Sequence, residues 1–321
     1  MENGGLRPGD VVQVRSATEI MATLDDRGTL AGLPFMPEMV QHCGRTFVVA
    51  KRAERVCWMS VSRRVRDTVI LGDLRCDGSG HDGCQEECRL LWNEAWLRQV
   101  GSEKPGSRDA DYATQLVELV TRNTKQEIRS GDHGGQTYRC QYTELVRASQ
   151  GLAVWDPRTY LRELTSGNVP FSRFLRVIAR AAFEESLHGL GLAVTDVPVR
   201  GSRTALIPVP ALGLQPGEWV EVRSRREIEA TLSPEGKYRG LWFDREMLPF
   251  CGKRFRVRQR VSRIIDYQTG RLIELKSDCV KLEGVTCSGD LSLGRWFCPR
   301  AIYPYWRECW LRRVDGPGAS P

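Results

Sequence analysis

No run in the 321 residues approaches the ~20 consecutive apolar side chains that a bilayer span requires. The opening MENGGLRPGD has no apolar core of a secretory leader. A cytoplasmic location is therefore expected, with no membrane partner. Histidine is scarce, with four in the chain. There is no Walker loop, no G-x-S-x-G and no H-E-x-x-H, so the common nucleotide and hydrolase chemistries lack support. Eleven cysteines, an odd number, without a leader point to thiols or metal ligands instead of a disulfide framework.

What is present reads as folded protein. Hydrophobic residues make up 41% and charged residues 27%, enough chain for two domains at ~150 residues each. The net charge of +7 is uneven. Residues 206–321 carry 20 basic and 14 acidic side chains, against 13 and 14 in residues 1–100. That excess admits a nucleic-acid partner without favouring one.

An internal duplication dominates the sequence. Residues 6–50 align without a gap to residues 214–258, and 22 of the 45 positions are identical. Register continues with Asp67–Leu74 against Asp278–Val285, Cys76 against Cys287, and residues 84–100 against 298–314. The domains expected are thus two copies, residues 1–100 and 206–321, around a middle segment 101–205 that matches neither. Positions kept by both copies are those the shared fold or a shared site needs. They include Gly9, Gly28, Gly32 and Gly44, the apolar Val12, Val14, Ile20, Phe35, Met39 and Val49, and Trp92, Trp96 and three cysteines.

Each copy has one order of elements. A Pro-Gly turn feeds a short strand, and Ser16 with Glu19, like Ser224 with Glu227, fits a capping box at a helix start. A second short helix runs from near Pro37 to Gly44, its counterpart ending at Gly252. Alternation over 253–261 marks a strand with Arg254, Arg256, Arg258 and Arg260 on one face. Residues 84–100 and 298–314 have helical spacing. The fold class expected is α+β: two tandem small SH3-like β-barrels with helical insertions, separated by a mainly helical middle. Helices are expected there over 110–123, 137–151, 156–167 and 171–191.

The string GLPFMPEM, the following Cys-Gly, LRCDG-x-x-H-x-GC and W-x-EAWL resemble a signature shared by a group of bacterial proteins. The resemblance covers most of the chain and implies no activity.

Three cysteines match between copies: Cys43 with Cys251, Cys76 with Cys287, and Cys84 with Cys298. Thiols converging from separate loops are how structural zinc is held, with tetrahedral sulfur ligands at ~2.3 Å. In the first copy Cys88, one turn beyond Cys84 on the expected helix, completes a four-thiolate set with Cys43 and Cys76. The second copy has Ile302 at that position, leaving Cys251, Cys287 and Cys298 with an unknown fourth ligand. Three ligands and an open position suit a reactive zinc or an iron–sulfur cluster with one open iron, and equally a decayed site. His81 and Cys140 are the further ligands to consider. Zinc is the expected metal and iron–sulfur the alternative. Cys57 and Cys309, unmatched, read as small buried side chains.

Asp132-His133 reads as a turn, and His188 as a helix C-terminal residue. Arg256, Arg258, Tyr303 and Trp306 form a candidate binding surface, although packing into the adjoining barrel is the favoured account of such aromatics and a solvated face that of the arginines. These features predict a metal-binding scaffold or binding protein with a protein or small-molecule partner. The alternative is a metalloenzyme of a bacterial biosynthetic pathway whose open site lies in the second copy. A nucleic-acid binder is third. The second copy, which carries the charge, is expected to hold the functional surface.

Overall fold

The structure, a computed structural model, describes residues 5–59, 61–100, 109–128, 135–189, 199–201, 211–275, 279–292 and 294–316. It is a mixed α+β molecule with several small sheets and few helices. Among the described residues no helix is long and apolar enough to cross a membrane. The chain gathers into two compact units. The first comprises Met1–Phe174, Ile265–Ile273 and Phe297–Arg300; the second comprises Leu175–Ile264, Glu274–Trp296 and Ala301–Pro321.

Each unit is built on a five-stranded antiparallel sheet, and the two sheets share one order. In the first it runs Trp92–Asn93, Thr68–Leu71, Thr46–Arg52, Val11–Val14, Leu97–Gln99. In the second it runs Trp306–Arg307, Cys279–Leu282, Arg254–Arg260, Trp219–Val222, Leu311–Arg313. Val12 faces Phe47 and Val220 faces Phe255. The register shifts at the same aligned point, between Val49 and Lys51 and between Val257 and Gln259. Val12, Val14, Val220 and Val222 are wholly buried, the period-two pattern of a strand with one face on a core.

Both capping boxes form. Ser16 Oγ accepts the Glu19 amide at 3.3 Å, and the Glu19 carboxylate accepts the Ser16 amide at 2.9 Å. Ser224 and Glu227 repeat this at 3.4 and 2.8 Å. The second short helix is a 3₁₀ helix in both units, Pro37–His42 and Arg245–Phe250. Gly44 and Gly252, each at φ 74°, turn the chain out of it. The two cores match ring for ring. Phe35 meets Trp92 and Trp96 edge-on at 6.1 and 5.1 Å, and Phe243 meets Trp306 and Trp310 at 6.0 and 5.2 Å.

The terminal segment of each copy is not a helix. Glu94–Trp96 and Glu308–Trp310 are single 3₁₀ turns between strands. Trp92 and Trp96 have helical spacing because strand and turn aim both rings into one core. The strand that follows is then free to pair with Val11–Val14. Cys84 and Cys88 lie in a loop with Glu87 at φ 53°, so no helix face joins them. Among the described residues no barrel closes.

The middle segment forms helices Asp109–Thr124, Pro157–Thr165 and Phe171–Gly189. Residues 137–151 are not helical. Gly135–Tyr138 pairs with Lys125–Ile128, and turns follow. The spaced apolar residues are buried from these elements, Tyr138 from the strand and Tyr142 and Leu145 from the turns. The Gln141 side chain pins them, bonding the Leu91 amide and carbonyl at 2.8 Å each and the Pro34 carbonyl at 3.0 Å.

Glu163, on Pro157–Thr165, is fully buried and accepts from the Asn168 side chain at 2.8 Å. Burial pushes its carboxyl up to about 8, whereas it ionises near 4.5 in an unfolded chain. The folded state therefore holds a proton that the unfolded state has released. The resulting stabilisation is whole below pH 4.5 and is lost as pH rises through about 8. Between pH 5 and 9 the wild type is expected to lose on the order of 4 kcal/mol more than Glu163→Gln in urea unfolding. Parallel pH profiles for the two proteins would refute this.

Candidate metal centre

In the first unit the chain leaves strand Thr68–Leu71, passes Cys76 and closes a loop on itself at Cys88. The Cys76 amide donates to the Cys88 carbonyl at 2.8 Å, and the Leu90 amide to the Leu74 carbonyl at 3.0 Å. Inside the loop, Gly78 at φ 77° starts a 3₁₀ turn, Ser79–His81. The turn is closed by the Gly83 amide on the Gly78 carbonyl at 3.0 Å and by the Cys84 amide on the His81 carbonyl at 3.2 Å. Asp82 anchors it outside through the Tyr138 hydroxyl and the Lys125 ammonium. Gly78, Gly80 and Gly83 spell G-x-G-x-x-G, but the loop does not lead from a strand into an α-helix, the context that motif needs.

This turn carries His81 inward, where it meets Cys76 and Glu38 of the 3₁₀ helix Pro37–His42. One donor atom from each lies within 4.8 Å of the others. The Cys76 Sγ to His81 Nδ1 distance is 3.8 Å. His81 is 1% exposed and Glu38 5%. The Glu38 carboxylate has no side-chain partner other than the Cys76 thiol, and the His81 ring meets only that thiol and, loosely, the Arg139 backbone. A buried carboxylate short of donors costs roughly 1–3 kcal/mol, more when charged, so the poorly served Glu38 needs an explanation.

Burial sets the protonation of the cluster. It pushes the Glu38 carboxyl up, with the Cys76 thiol pulling the other way. It pushes the Cys76 thiol well up, and the Glu38 charge adds to that. It lowers His81 to about 4, so the imidazole is neutral at pH 7. All three groups resist charge when alone. A bound cation reverses this for the carboxylate and the thiolate, and it uses neutral imidazole as it stands.

The cluster opens onto a narrow cavity of about 20 Å³, enough for one ion or water. Cys84, Cys88 and Cys140 also line it, with Glu86 and Tyr267. Burial raises the Cys84 thiol to about 11 and raises those of Cys88 and Cys140. Of the expected first-copy ligands, Cys76, Cys84 and Cys88 thus reach one cavity, together with His81 and Cys140. Cys43 is not among its lining residues. It follows the 3₁₀ helix as a cap and packs against the hydrophobic core.

Glu38 was not anticipated. Its signal was there to find, since Glu246 matches it in the second copy and a carboxylate inside FMPEM is out of place. In the second unit the same carboxylate is fully used. Glu246 accepts from the Ser288 amide and hydroxyl at 2.8 and 2.7 Å and from the Leu291 amide at 2.8 Å.

Cys251, Cys287 and Cys298 form no such group. Among the described residues the Glu38, Cys76 and His81 set is the one that does. Cys251 caps its 3₁₀ helix, and Cys287 Sγ accepts the Ile302 amide at 3.2 Å. Cys298 belongs to the first unit, where its sulfur accepts the Cys57 amide at 3.2 Å. The candidate binding surface is corrected by burial. Arg256 and Arg258 are exposed, but Trp306 is 0% and Tyr303 7% exposed. Trp306 is a core ring, and Tyr303 lies under the Arg258 guanidinium at 5.0 Å. Neither face is free for a base. Asp132 and His133, and the side chain of His188, lie outside the described residues.

No protein-family model, no curated protein and no solved structure matches the chain.

Proposed function

We propose that the first unit binds one divalent metal ion, zinc before others, and that the chain is a metal-binding scaffold or binding protein. The observation that carries this reading is the convergence of Glu38, Cys76 and His81 within 4.8 Å at a buried point, where the Glu38 carboxylate has no side-chain partner outside the cluster. Oxygen, sulfur and imidazole donors at one buried point suit zinc. The duplication adds support of a kind no single domain offers. The Glu246 carboxylate is served by Ser288 and Leu291, so the second copy needs no ion where the first leaves its carboxylate without such donors. One metal per chain follows, in the first copy.

Each copy is read as a small SH3-like barrel. Support comes from the strand order, in which four strands meander and a fifth returns beside the first through one 3₁₀ turn. Eleven free thiols support a cytoplasmic location. The partner is a protein or a small molecule, and the bacterial signature marks the family.

Elemental analysis and an absorption spectrum of anaerobically purified protein test the metal. Colourless protein with one equivalent of zinc is expected. Brown protein with iron and sulfide would put an iron–sulfur cluster in its place. Failure to take up any metal on reconstitution would remove the reading.

A further inference from the structure

Arg300 is 2% exposed within the first unit. Its guanidinium donates to the Cys57 carbonyl at 3.0 Å and to the Tyr267 hydroxyl at 2.8 Å. It lies 3.8 Å from Cys88 Sγ and stacks over the Tyr142 ring at 3.9 Å. Among the described residues no carboxylate pairs with it, and its Nε has no partner. A guanidinium removed from water costs several kcal/mol unless an anion faces it. The side chains that face this one become anionic only as thiolate or phenolate.

We propose that Arg300 is the counter-cation of an anionic metal–thiolate centre, and that Cys88 is the thiolate that joins Glu38, Cys76 and His81 as its fourth ligand. The proposal rests on the metal-binding reading above. Cys88 sits opposite Cys76 where the loop closes and lines the same cavity; its sulfur lies outside the 4.8 Å group, so it joins the centre by closing in on the bound ion. Cys84 and Cys140 line that cavity too, but among the described residues no basic side chain touches either sulfur. A divalent ion held by two thiolates, one carboxylate and a neutral imidazole keeps one net negative charge. A single guanidinium cancels it, in a setting where low polarity makes the pairing strong. Tyr267 fixes the arrangement. Its hydroxyl accepts from Arg300, lies 3.3 Å from Cys88 Sγ and donates to Glu86 at 2.7 Å. Outer partners of this kind orient ligands and tune affinity.

The test uses the full-length chain. Zinc affinity is measured by competition with a chromophoric chelator, and cobalt-substituted protein reports bound thiolates through sulfur-to-metal charge-transfer intensity. Arg300→Met is expected to bind zinc about 10–100-fold more weakly than wild type. Arg300→Lys, which keeps the charge, should recover most of that loss, as a purely packing role would not allow. Cys88→Ser should lose one thiolate's share of the charge-transfer intensity. Zinc affinity of Arg300→Met within twofold of wild type, or an unchanged cobalt spectrum for Cys88→Ser, overturns the proposal and leaves the three-donor centre standing. If Arg300→Met does not fold, the Cys88→Ser spectrum decides alone. A wild-type chain that binds neither zinc nor cobalt overturns the metal reading itself.

Discussion

Cys76→Ser is expected to abolish stoichiometric metal and to lower the melting temperature of the first unit, while Cys43→Ser keeps its metal. Both cysteines are shared by the two copies, and both sit beside glycine or polar residues. The structure separates them. Cys76 Sγ lies with His81 and Glu38 in the buried cluster, and Cys43 packs against the hydrophobic core. Metal binding to a site absent from the unfolded chain is folding free energy, about 10–16 kcal/mol in zinc-finger peptides. The first unit has a large core of its own, so the loss should be smaller, on the order of several kcal/mol. Elemental analysis and calorimetry of both variants check this. Retained metal in Cys76→Ser, or equal metal loss in Cys43→Ser, would end the assignment.

Gly78→Ala should cost nearly as much, although it touches no donor atom. A Cβ at Gly78 would stand 2.1 Å from the Cys84 carbonyl oxygen and 3.0 Å from the Cys84 carbonyl carbon and nitrogen. Backbone atoms cannot swing aside as a side chain can. The left-handed φ of 77° adds roughly 1–2 kcal/mol for any residue with a Cβ. The turn that carries His81 inward must therefore rearrange, and metal affinity should fall more than tenfold. Gly83→Ala is the control, because its Cβ would meet nothing within 4 Å and only the φ of 80° opposes it. If Gly78→Ala and Gly83→Ala bind metal equally well, loop geometry does not position His81.

The duplication made much of the fold legible. The capping boxes, the glycines that end the 3₁₀ helices and the core tryptophans each rest on contacts within a few residues or on alternation. The expected terminal helix failed because spacing of three and four reports only which residues turn inward. It does not distinguish a helix from a strand followed by a turn. Cys76 and His81 were legible because one short loop carries both. Glu38 was obscured by its apolar neighbours. Tyr267 and Arg300 carried no signal, because nothing local places residues of the second copy's sequence beside Cys88. The same cause undid the second-copy thiol set, since Cys298 lies with the first unit while Cys251 and Cys287 lie with the second.

The first unit is discontinuous in sequence, drawing Ile265–Ile273 and Phe297–Arg300 from far downstream. This gives its assembly a timetable. At ~5–20 residues per second of ribosomal synthesis, Arg300 follows Phe174 by on the order of ten seconds. During that interval the nascent chain already displays Glu38, Cys76 and His81, but the Tyr267 and Arg300 side of the cavity has not been made. The unit that starts first is therefore finished almost last. A ribosome stalled before residue 265 holds a chain with its three donors and without the wall that encloses them.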